Sequence, residues 1–364
     1  MMKKKIILKK VFNNKKVIIT GHTGFKGSWL TFWLENLGAK VIGVSNNLIT
    51  NPSVFNTLNI KKKITHKNFD IRNLKKTKEI FKKYQPDYVF HLAAQSLVKK
   101  SYKNPIYTFG TNSIGTLNVL ESLREIKKKC VVILITSDKS YKNLELKRGY
   151  KEDDILGGAD PYSASKGAAE LIIKSYINSY FKNSKNILIG IARAGNVIGG
   201  GDWSSDRLVP DCVRSWSKNK RVLLRNPNST RPWQHVFEAV GGYLFFASKI
   251  KINSKIHGEA FNFGPKHKKT YSVLMLIKLM KKNWKNVSWK IVKRAKIQHY
   301  ESNLLKLNCN KAYKLLNWKS ILNFNETIEM TTSWYRQFYT NRKNIKKFSL
   351  DQIKLYEKLM MERL

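Results

Sequence analysis

The segment 17–30, V-I-I-T-G-H-T-G-F-K-G-S-W-L, constrains the fold more than any other part of the chain. A β-branched run ends at Thr20, glycines follow at positions 21, 24 and 27, and an apolar helical stretch begins directly afterwards. Glycines between a strand and a helix allow a tight turn and a close approach to a pyrophosphate, towards which the helix N-terminus points. The segment therefore predicts a dinucleotide-binding corner in preference to a purely structural connection.

Continuous apolar runs alternate with helical stretches through the first half of the chain. Runs of this kind are typical of strands that are covered on both faces, as in a parallel sheet with helices on each side. Right-handed crossovers then give an α/β fold with a doubly wound, Rossmann-type parallel sheet. The predicted strands are 16–20, 40–44, 87–93, 131–137 and 187–193, and the predicted helices are 26–37, 73–83, 111–126 and 162–180.

After Arg193 the alternation gives way to a glycine-rich segment and short mixed elements. We predict a cofactor-binding domain at 1–193 with a return segment near 233–263, a smaller mixed α/β substrate-binding region at 194–340, and a basic, loosely packed tail at 341–364. In the second half the predicted strands are 222–224 and 260–263, and the predicted helices are 236–247, 272–282 and 327–338.

The chain is strongly basic, with 69 Lys and Arg residues against 24 Asp and Glu and a net charge of +45. The basic residues are spread from end to end, which is typical of a chain-wide bias and not of a nucleic-acid-binding patch. Three distant cysteines form neither a disulfide framework nor a metal-binding spacing. No apolar run approaches the ~18 residues of a membrane helix. We therefore expect a cytoplasmic protein without a metal, a membrane partner or a nucleic-acid partner.

Tyr162 and Lys166 form a candidate catalytic pair at the start of a predicted helix. Pro161 suits a helix start, and residues four apart lie on one face. A phenol with a pKa near ~10 is a poor base at neutral pH, and a nearby ammonium stabilises its phenolate. Lowering the pKa by roughly three units requires about 4 kcal/mol, which close charges in a partly dry site supply. The pair predicts proton abstraction from a hydroxyl group.

Residues 20–27 together with this pair resemble the extended short-chain dehydrogenases/reductases, of the epimerase/dehydratase type. The segments that carry the resemblance further are 22–29, 91–95, 136–139, 193–203 and 231–235, and the similarity extends over about 15–334. The resemblance implies a nucleotide-sugar 4,6-dehydratase with NAD as cofactor and CDP-glucose as the favoured substrate, acting in deoxysugar and O-antigen precursor synthesis. It also implies a homodimer, or a dimer of dimers, built on the helices at 111–126 and 162–180.

The resemblance assigns the cofactor to residues from five segments of the chain. Ser45, Asn46 and Asn47 follow the second strand, so no carboxylate is present at the point where one would favour NAD. The expectation of NAD therefore rests on the resemblance. Asp70 is equally a candidate helix cap, and so is Asn112. The expected cofactor-binding residues are Gly21, Thr23, Gly24, Phe25, Lys26, Gly27, Asp70, Ile71, Leu92, Ala93, Ala94, Asn112, Tyr162 and Lys166.

The segment Thr136-Ser-Asp-Lys139 ends a predicted strand at the edge where open α/β sheets bind ligands. By resemblance Asp138 protonates the departing 6-hydroxyl of the sugar, and Ser137 holds the 4-hydroxyl near Tyr162 unless it only caps the strand end. Lys139 is either the base that removes the C5 proton or a cation that stabilises the developing enolate. Arginine suits diphosphate oxygens. The expected substrate-binding residues are Gln95, Ser137, Asn196, Arg207, Arg231 and His235.

Two alternative functions stay open at this point. One is another nucleotide-sugar 4,6-dehydratase or a 4-epimerase of the same fold, against which Asp138 and the segment 231–233 favour dehydration. The other is a non-catalytic, basic Rossmann protein that binds nucleotides or nucleic acid, against which the intact pair of Tyr162 and Lys166 favours an enzyme.

Overall fold

The computed structural model describes residues 7–364 except 49, 147, 266–270, 286 and 293–304. Seven strands of this part of the chain form one parallel sheet, and the others form three small two-stranded sheets. The strands are β1 (Lys16–Thr20), β2 (Lys40–Ser45), β3 (Thr65–Asn68), β4 (Tyr88–His91), β5 (Cys130–Ile135), β6 (Ile187–Ala194), β7 (Val197–Ile198), β8 (Val222–Leu224), β9 (Thr230–Arg231), β10 (Gln234–His235), β11 (Ala260–Phe263), β12 (Tyr271–Ser272) and β13 (Trp289–Ile291).

Helices cover both faces of the large sheet and build most of the second half of the chain. None of the described helices combines the length and the apolar character that crossing a membrane requires. They are α1 (Leu8–Phe12), α2 (Phe25–Asn36), α3 (Val54–Thr57), α4 (Leu74–Tyr84), α5 (Val98–Lys103), α6 (Pro105–Phe109), α7 (Gly115–Leu123), α8 (Pro161–Tyr176), α9 (Leu208–Trp216), α10 (Val236–Ile252), α11 (Val273–Asn283), α12 (Phe324–Thr340) and α13 (Ile345–Arg363).

The strand sequences produce a sheet that is buried on both faces. In β1, Val17 and Ile19 join an apolar cluster with α2 and α10, whereas Ile18 joins a second cluster with α4, α7 and α8. Successive side chains of a strand point to opposite faces, so a continuous apolar run serves both clusters. The predicted α/β, doubly wound Rossmann-type fold is confirmed.

The strand order brings the ligand-binding edge to the middle of the sheet. The order is β11-β6-β5-β4-β1-β2-β3, and every neighbouring pair is parallel. The connections reverse direction between β1 and β4, and open α/β sheets bind ligands in the crevice at such a point. Because β11 pairs with β6, the chain returns to the sheet after the short strands of its second half. The domain boundaries themselves remain predictions.

The C-terminal segment 341–364, expected to pack loosely, is instead anchored in the core. Tyr356 of α13 is fully buried against the rings of Trp33 and Phe237, with centroid distances of 5.7 and 5.9 Å. Its hydroxyl donates to the carboxylate of Glu238 at 3.1 Å. The sequence signal was misleading because the basic residues of this helix occupy its exposed face, whereas its apolar residues are spaced to meet α12 and α10.

Replacing Tyr356 by Ala should lower the free energy of unfolding by about 3–5 kcal/mol, because a buried aromatic ring is removed. The matched control is Leu355→Ala on the exposed face of the same helix, which should change it by less than about 0.5 kcal/mol. Urea unfolding followed by circular dichroism measures both. Equal losses in the two variants would contradict this packing of α13.

Candidate active site

The carboxyl ends of the central strands open onto one cleft of about 1270 Å³. Loops that follow β1 to β6 form one wall, and the segments 204–211 and 223–231 form the other. Pockets for one drug-sized ligand measure about 300–1,000 Å³, so this cleft has room for two large ligands side by side. Its dimensions suit a dinucleotide together with a nucleotide sugar.

The glycine corner leaves no room for side chains where β1 meets α2. Gly21 has a φ of +76°, and a Cβ there would lie 2.6 Å from the backbone N of Ala93. A Cβ on Gly27 would overlap the carbonyl oxygen of Gly21. The N-terminal residues of α2 line the cleft, and the N–H groups of Phe25, Lys26 and Gly27 have no intrahelical partner, whereas that of Gly24 donates to the carbonyl oxygen of Gly21 at 3.1 Å. This backbone cradle fits a pyrophosphate.

Asp70 lines the cleft in the loop after β3. Its carboxylate accepts hydrogen bonds from the Arg72 backbone and side chain, each at 2.9 Å, and from Asn46 at 3.0 Å. Burial raises the pKa of Asp70, but these donors outweigh it and hold the pKa below its ordinary value. The alternative role of Asp70 as a helix cap is wrong, because the Asn73 side chain caps α4.

Helix α8 begins in a way that places the catalytic pair at the cleft. The carboxylate of Asp160 accepts from the backbone N of Tyr162 and of Ser163, each at 3.0 Å, and Pro161 occupies the first turn. Tyr162 and Lys166 consequently lie one turn apart, both buried and both in the wall of the cleft. The predicted helix, its start and the shared face of the pair agree with the structure.

The protein groups favour the neutral form of both members of the pair. Burial raises the pKa of Tyr162 to about 12, although hydrogen bonding with Ser137 lowers it. Burial, and then the charge of Lys26, lower the pKa of Lys166 to about 7. The sequence predicted a phenol whose pKa Lys166 lowers, whereas here the desolvation of Tyr162 dominates because α8 packs tightly at the sheet edge.

Three side chains after β5 form the candidate acid–base cluster of the site. Ser137 Oγ donates to Asp138 Oδ1 at 2.8 Å and accepts from the backbone N of Lys139 at 3.2 Å. Ser137 therefore caps the strand end, as one of its two predicted roles requires, and also contacts the carboxylate, whereas its contact with the sugar 4-hydroxyl stays a prediction. Burial raises the pKa of Asp138, which suits a group that must hold a proton and then donate it. Lys139 is half-buried in the same wall.

Gly195 is a functional position that the sequence analysis did not single out. A Cβ at this residue would lie 2.9 Å from Asp138 Oδ2. The glycine thus lets the loop after β6 pass directly over the Asp138 carboxylate. The only signal in the sequence was the density of glycines from 195 to 201, which does not identify the residue that each one faces.

A buried ion pair behind the cleft also escaped the sequence analysis. Arg193 Nε donates to Glu170 Oε1 at 2.7 Å, a second guanidinium N–H contacts Oε2, and both side chains are fully buried. Thr136 donates to Glu170 at 2.6 Å, and Arg193 donates to the hydroxyl of Tyr141 at 2.7 Å. The available signal was spacing, because Glu170 continues the four-residue interval from Tyr162 to Lys166.

The second wall of the cleft carries the candidate diphosphate ligands. Arg207 lies 3.3 Å from Asp202, and Arg231 donates to the carbonyl oxygen of Thr230 at 2.9 Å.

Lys99, outside the predicted set, forms an ion pair with Asp206 at the mouth of the cleft. Sequence spacing carried no signal for such contacts between distant loops. The other cleft residues that the sequence analysis missed include Lys100, Lys103, Tyr107, Leu224, Arg225 and Asn226.

Nearly all predicted site residues line this one cleft, but two of those described do not. Asn112 lies behind it in a π-helical turn, where its side chain holds the backbone of Gln95 through bonds of 2.8 and 3.1 Å. His235 is buried below the cleft, and its Nδ1 accepts from the backbone N of Phe237 at 3.2 Å. Because β10 directs this ring into the core, the expected substrate contact of His235 is not supported.

Comparison with known proteins agrees with the geometry. The model of the GDP-mannose 4,6 dehydratase family matches residues 18–331. The chain is 40% identical over 336 residues to CDP-glucose 4,6-dehydratase from Salmonella typhimurium, which covers 91% of this chain and 93% of the relative. The chain belongs to the GDP-mannose 4,6 dehydratase family. The predicted resemblance to the extended short-chain dehydrogenases/reductases is thereby confirmed.

Solved structures share the same architecture. An epimerase from Methanothermobacter thermautotrophicus superimposes with a TM-score of 0.78 at 26% identity, covering 93% of this chain and 96% of that one. The NAD complex of dTDP-glucose 4,6-dehydratase from Bacillus anthracis has a TM-score of 0.70 at 19% identity, covering 89% and 97%. Membership of the dehydratase family favours an enzyme over the alternative of a non-catalytic binding protein.

Replacing Gly195 by Ala should displace the Asp138 carboxylate and lower the rate of nucleotide-sugar dehydration by about 100-fold, since misplacement by roughly 1 Å has effects of this size. The affinity for NAD should stay within about twofold, because the glycine corner is separate. Gly110→Ala is the control, since its Cβ would meet only the Arg72 side chain, at 3.4 Å. Unaltered dehydration by Gly195→Ala would contradict the contact with Asp138.

His235 should make folding sensitive to acid. Burial lowers its pKa to about 3, whereas the unfolded chain binds the proton at about 6.5. Below pH ~6.5 the unfolded state therefore binds a proton that the folded state does not bind. Each unit by which the pH falls then lowers the free energy of unfolding by up to about 1.4 kcal/mol. Relative to His235→Gln, the wild-type protein should lose stability by this amount per unit as the pH falls from about 6 to about 5. Urea titrations measure it, and a constant difference would show that His235 is protonated inside the fold.

Proposed function

We propose that this protein converts CDP-glucose into CDP-4-dehydro-6-deoxyglucose and water with NAD as a bound cofactor. The observation that carries the proposal is the meeting, in one cleft, of the pair Tyr162 and Lys166 with the buried carboxyl of Asp138. A hydroxyl oxidation needs only the pair, whereas the loss of water also needs a proton donor. The 40% identity to CDP-glucose 4,6-dehydratase supports CDP-glucose among the nucleotide sugars.

The residues present fit NAD. In this proposal the glycine corner at Gly21, Gly24 and Gly27 holds the pyrophosphate, and Asp70, which lines the same cleft, contacts the adenine. In this proposal Lys166 holds the nicotinamide ribose, and Lys26 lines the same cleft, where it interacts electrostatically with Asp138 and Arg207. When bound there, NAD would supply a hydride acceptor and donor for the sugar, so that no external reductant would be consumed.

The protein groups act in sequence on the sugar. Tyr162 receives the proton of the 4-hydroxyl as C4 is oxidised, and the resulting 4-keto group acidifies the C5 proton. Asp138 then protonates the 6-hydroxyl, which leaves as water, and Lys139 takes the C5 proton. In its neutral form Lys139, which lines the same wall as Asp138, serves as this base, and as a cation it instead stabilises the developing enolate. The proton returns to C5 when the hydride reaches C6.

The second wall of the cleft binds the substrate in this proposal. Arg207 and Arg231 hold the diphosphate with bidentate donors, and Asn196 and Gln95 orient the sugar. Both arginines are partly exposed to the cleft, so they remain available to a ligand. The product is a deoxysugar precursor for polysaccharides of the O-antigen type.

The protein acts as a cytoplasmic homodimer, or as a dimer of dimers, in this proposal. Its three cysteines are free thiols, which suits a reducing compartment. Apolar side chains remain exposed around α6, the adjoining π-helical turn and α8, where the dimer is expected to form. They are Ile106, Phe109, Ile114, Leu171 and Tyr180.

The second candidate is a nucleotide-sugar 4-epimerase, which the shared fold permits. An epimerase has no leaving hydroxyl to protonate and needs no acid at Asp138. The raised pKa of that carboxyl and its burial within the cleft favour dehydration.

Incubation of the protein with CDP-glucose and NAD should yield a 6-deoxy-4-keto sugar without added reductant. Mass spectrometry detects the loss of one water, and the absorbance of the keto sugar in alkali gives the rate. UDP-glucose, dTDP-glucose and GDP-mannose serve as the competing substrates. Asp138→Asn should lower product formation by about 100-fold or more, since the proton donor is gone. Formation of a 4-epimer, or normal turnover by Asp138→Asn, would contradict the proposal.

A further inference from the structure

Strand β2 ends in the cleft without an acidic residue. Ser45 is its last residue, Asn46 and Asn47 follow, and all three line the cleft. In Rossmann-type domains a carboxylate at this point binds the adenosine 2′-hydroxyl of NAD, and its charge repels the 2′-phosphate of NADP. The described cleft residues that precede α7 contain one carboxylate, that of Asp70. The end of β2 therefore lacks the group that normally excludes a phosphorylated dinucleotide.

Hydrogen bonds hold the end of β2 against the glycine corner. The backbone N of Gly21 donates to the carbonyl oxygen of Val44 at 2.7 Å. The hydroxyl oxygens of Thr23 and Ser45 lie 2.6 Å apart, and Thr23 Oγ1 also donates to the carbonyl oxygen of Asn47 at 2.9 Å. The adenosine ribose of a dinucleotide adjoins its pyrophosphate, so a pyrophosphate on the corner brings the ribose to the end of β2.

Positive charge lies around the same end of the cleft. Asn46 Nδ2 is 3.4 Å from the hydroxyl of Tyr107, which lines the cleft. Lys100 Nζ lies 5.3 Å from the centroid of the Tyr107 ring, and the guanidinium carbon of Arg72 lies 4.7 Å from it. Lys100 and Lys103 also line the cleft. A phosphate monoester carries a charge of about −1.5 to −2 at pH 7, and nearby cations stabilise it.

The carboxylate of Asp70 does not cancel this positive charge. It accepts hydrogen bonds from the backbone and the side chain of Arg72, each at 2.9 Å, and from Asn46 at 3.0 Å. Its charge is therefore paired with that of Arg72, which leaves Lys100 and Lys103 as uncompensated cations of this group. The electrostatic balance at the end of β2 consequently favours an anion.

We propose that the cofactor site accepts NADP as well as NAD, with the 2′-phosphate of NADP bound between the end of β2 and Lys100. The hydroxyl of Ser45 and the side-chain amides of Asn46 and Asn47 are neutral, so they can bind either a ribose hydroxyl or a phosphate. This inference deepens the proposed function and rests on it for the role of the cleft as a cofactor site. The proposed reaction consumes no reductant, so either dinucleotide suits it.

Equilibrium dialysis of the full-length protein against radiolabelled NAD or NADP measures both dissociation constants without any turnover. Extended dialysis also removes nucleotide that is retained during purification. At neutral pH the two dissociation constants should agree within about tenfold. Raising the ionic strength from ~0.05 to ~0.5 M should weaken the binding of NADP more than that of NAD, because the 2′-phosphate interacts through its charge.

Two variants at Asn47 isolate the effect of a carboxylate at the end of β2. Asn47→Asp adds the charge with almost no change in shape and should weaken NADP binding by at least about tenfold, because it opposes the 2′-phosphate. The affinity for NAD should stay within about threefold or increase. Asn47→Ser removes the amide without adding a charge, and it should keep both affinities within about threefold of the wild-type values.

A second pair of variants tests the cations. Lys100→Gln keeps most of the side-chain length and should weaken NADP binding by about 3- to 10-fold, while the affinity for NAD changes by less than about twofold. Lys76→Gln is the matched control, since Lys76 is an exposed residue of α4 that does not line the cleft. It should change neither affinity by more than about twofold.

The outcomes separate this inference from the function on which it rests. Wild-type binding of NADP more than tenfold weaker than that of NAD overturns the inference, as does an Asn47→Asp variant with unaltered NADP affinity. Product formation from CDP-glucose with NAD upholds the proposed function in either case. Binding of both dinucleotides without product from CDP-glucose upholds the inference and overturns the dehydration. If neither dinucleotide binds, both are overturned.

Discussion

The buried ion pair between Arg193 and Glu170 is the interaction on which the rest of the site depends. It joins β6 to α8, and through Thr136 it reaches the end of β5. A fully desolvated pair is tolerated only when its hydrogen bonds are satisfied, and here both oxygens of Glu170 and three nitrogens of Arg193 have partners. Removing either residue would leave an unpaired buried charge at a cost of about 3–5 kcal/mol.

Because that pair fixes α8 against β5, the functional groups on these two elements share one desolvated wall. Desolvation then acts on each in the direction that disfavours charge, raising the pKa of Tyr162 and Asp138 and lowering that of Lys166. The packing that anchors the helix thus sets the acid–base chemistry proposed for the site.

The fold and much of the cleft followed from local patterns in the sequence. The predicted strand 16–20 has the same bounds as β1, and α8 begins within one residue of its predicted start at Tyr162. The errors concern packing between distant segments. The tail at 341–364 was expected to be loose because its composition is basic, and the resemblance placed His235 among the substrate-binding residues, but both face the core.

The sequence by itself determined the glycine corner, the one-turn spacing of Tyr162 and Lys166, and the polar residues that end β5. Each of these depends on backbone conformation or periodicity over a few residues, which neighbouring side chains specify. Only the tertiary structure decided that Gly195 lies over Asp138, that Arg193 meets Glu170, and that burial outweighs charge in setting the proton affinities. These features depend on which distant segments exclude water from one another, and no local pattern encodes that exclusion.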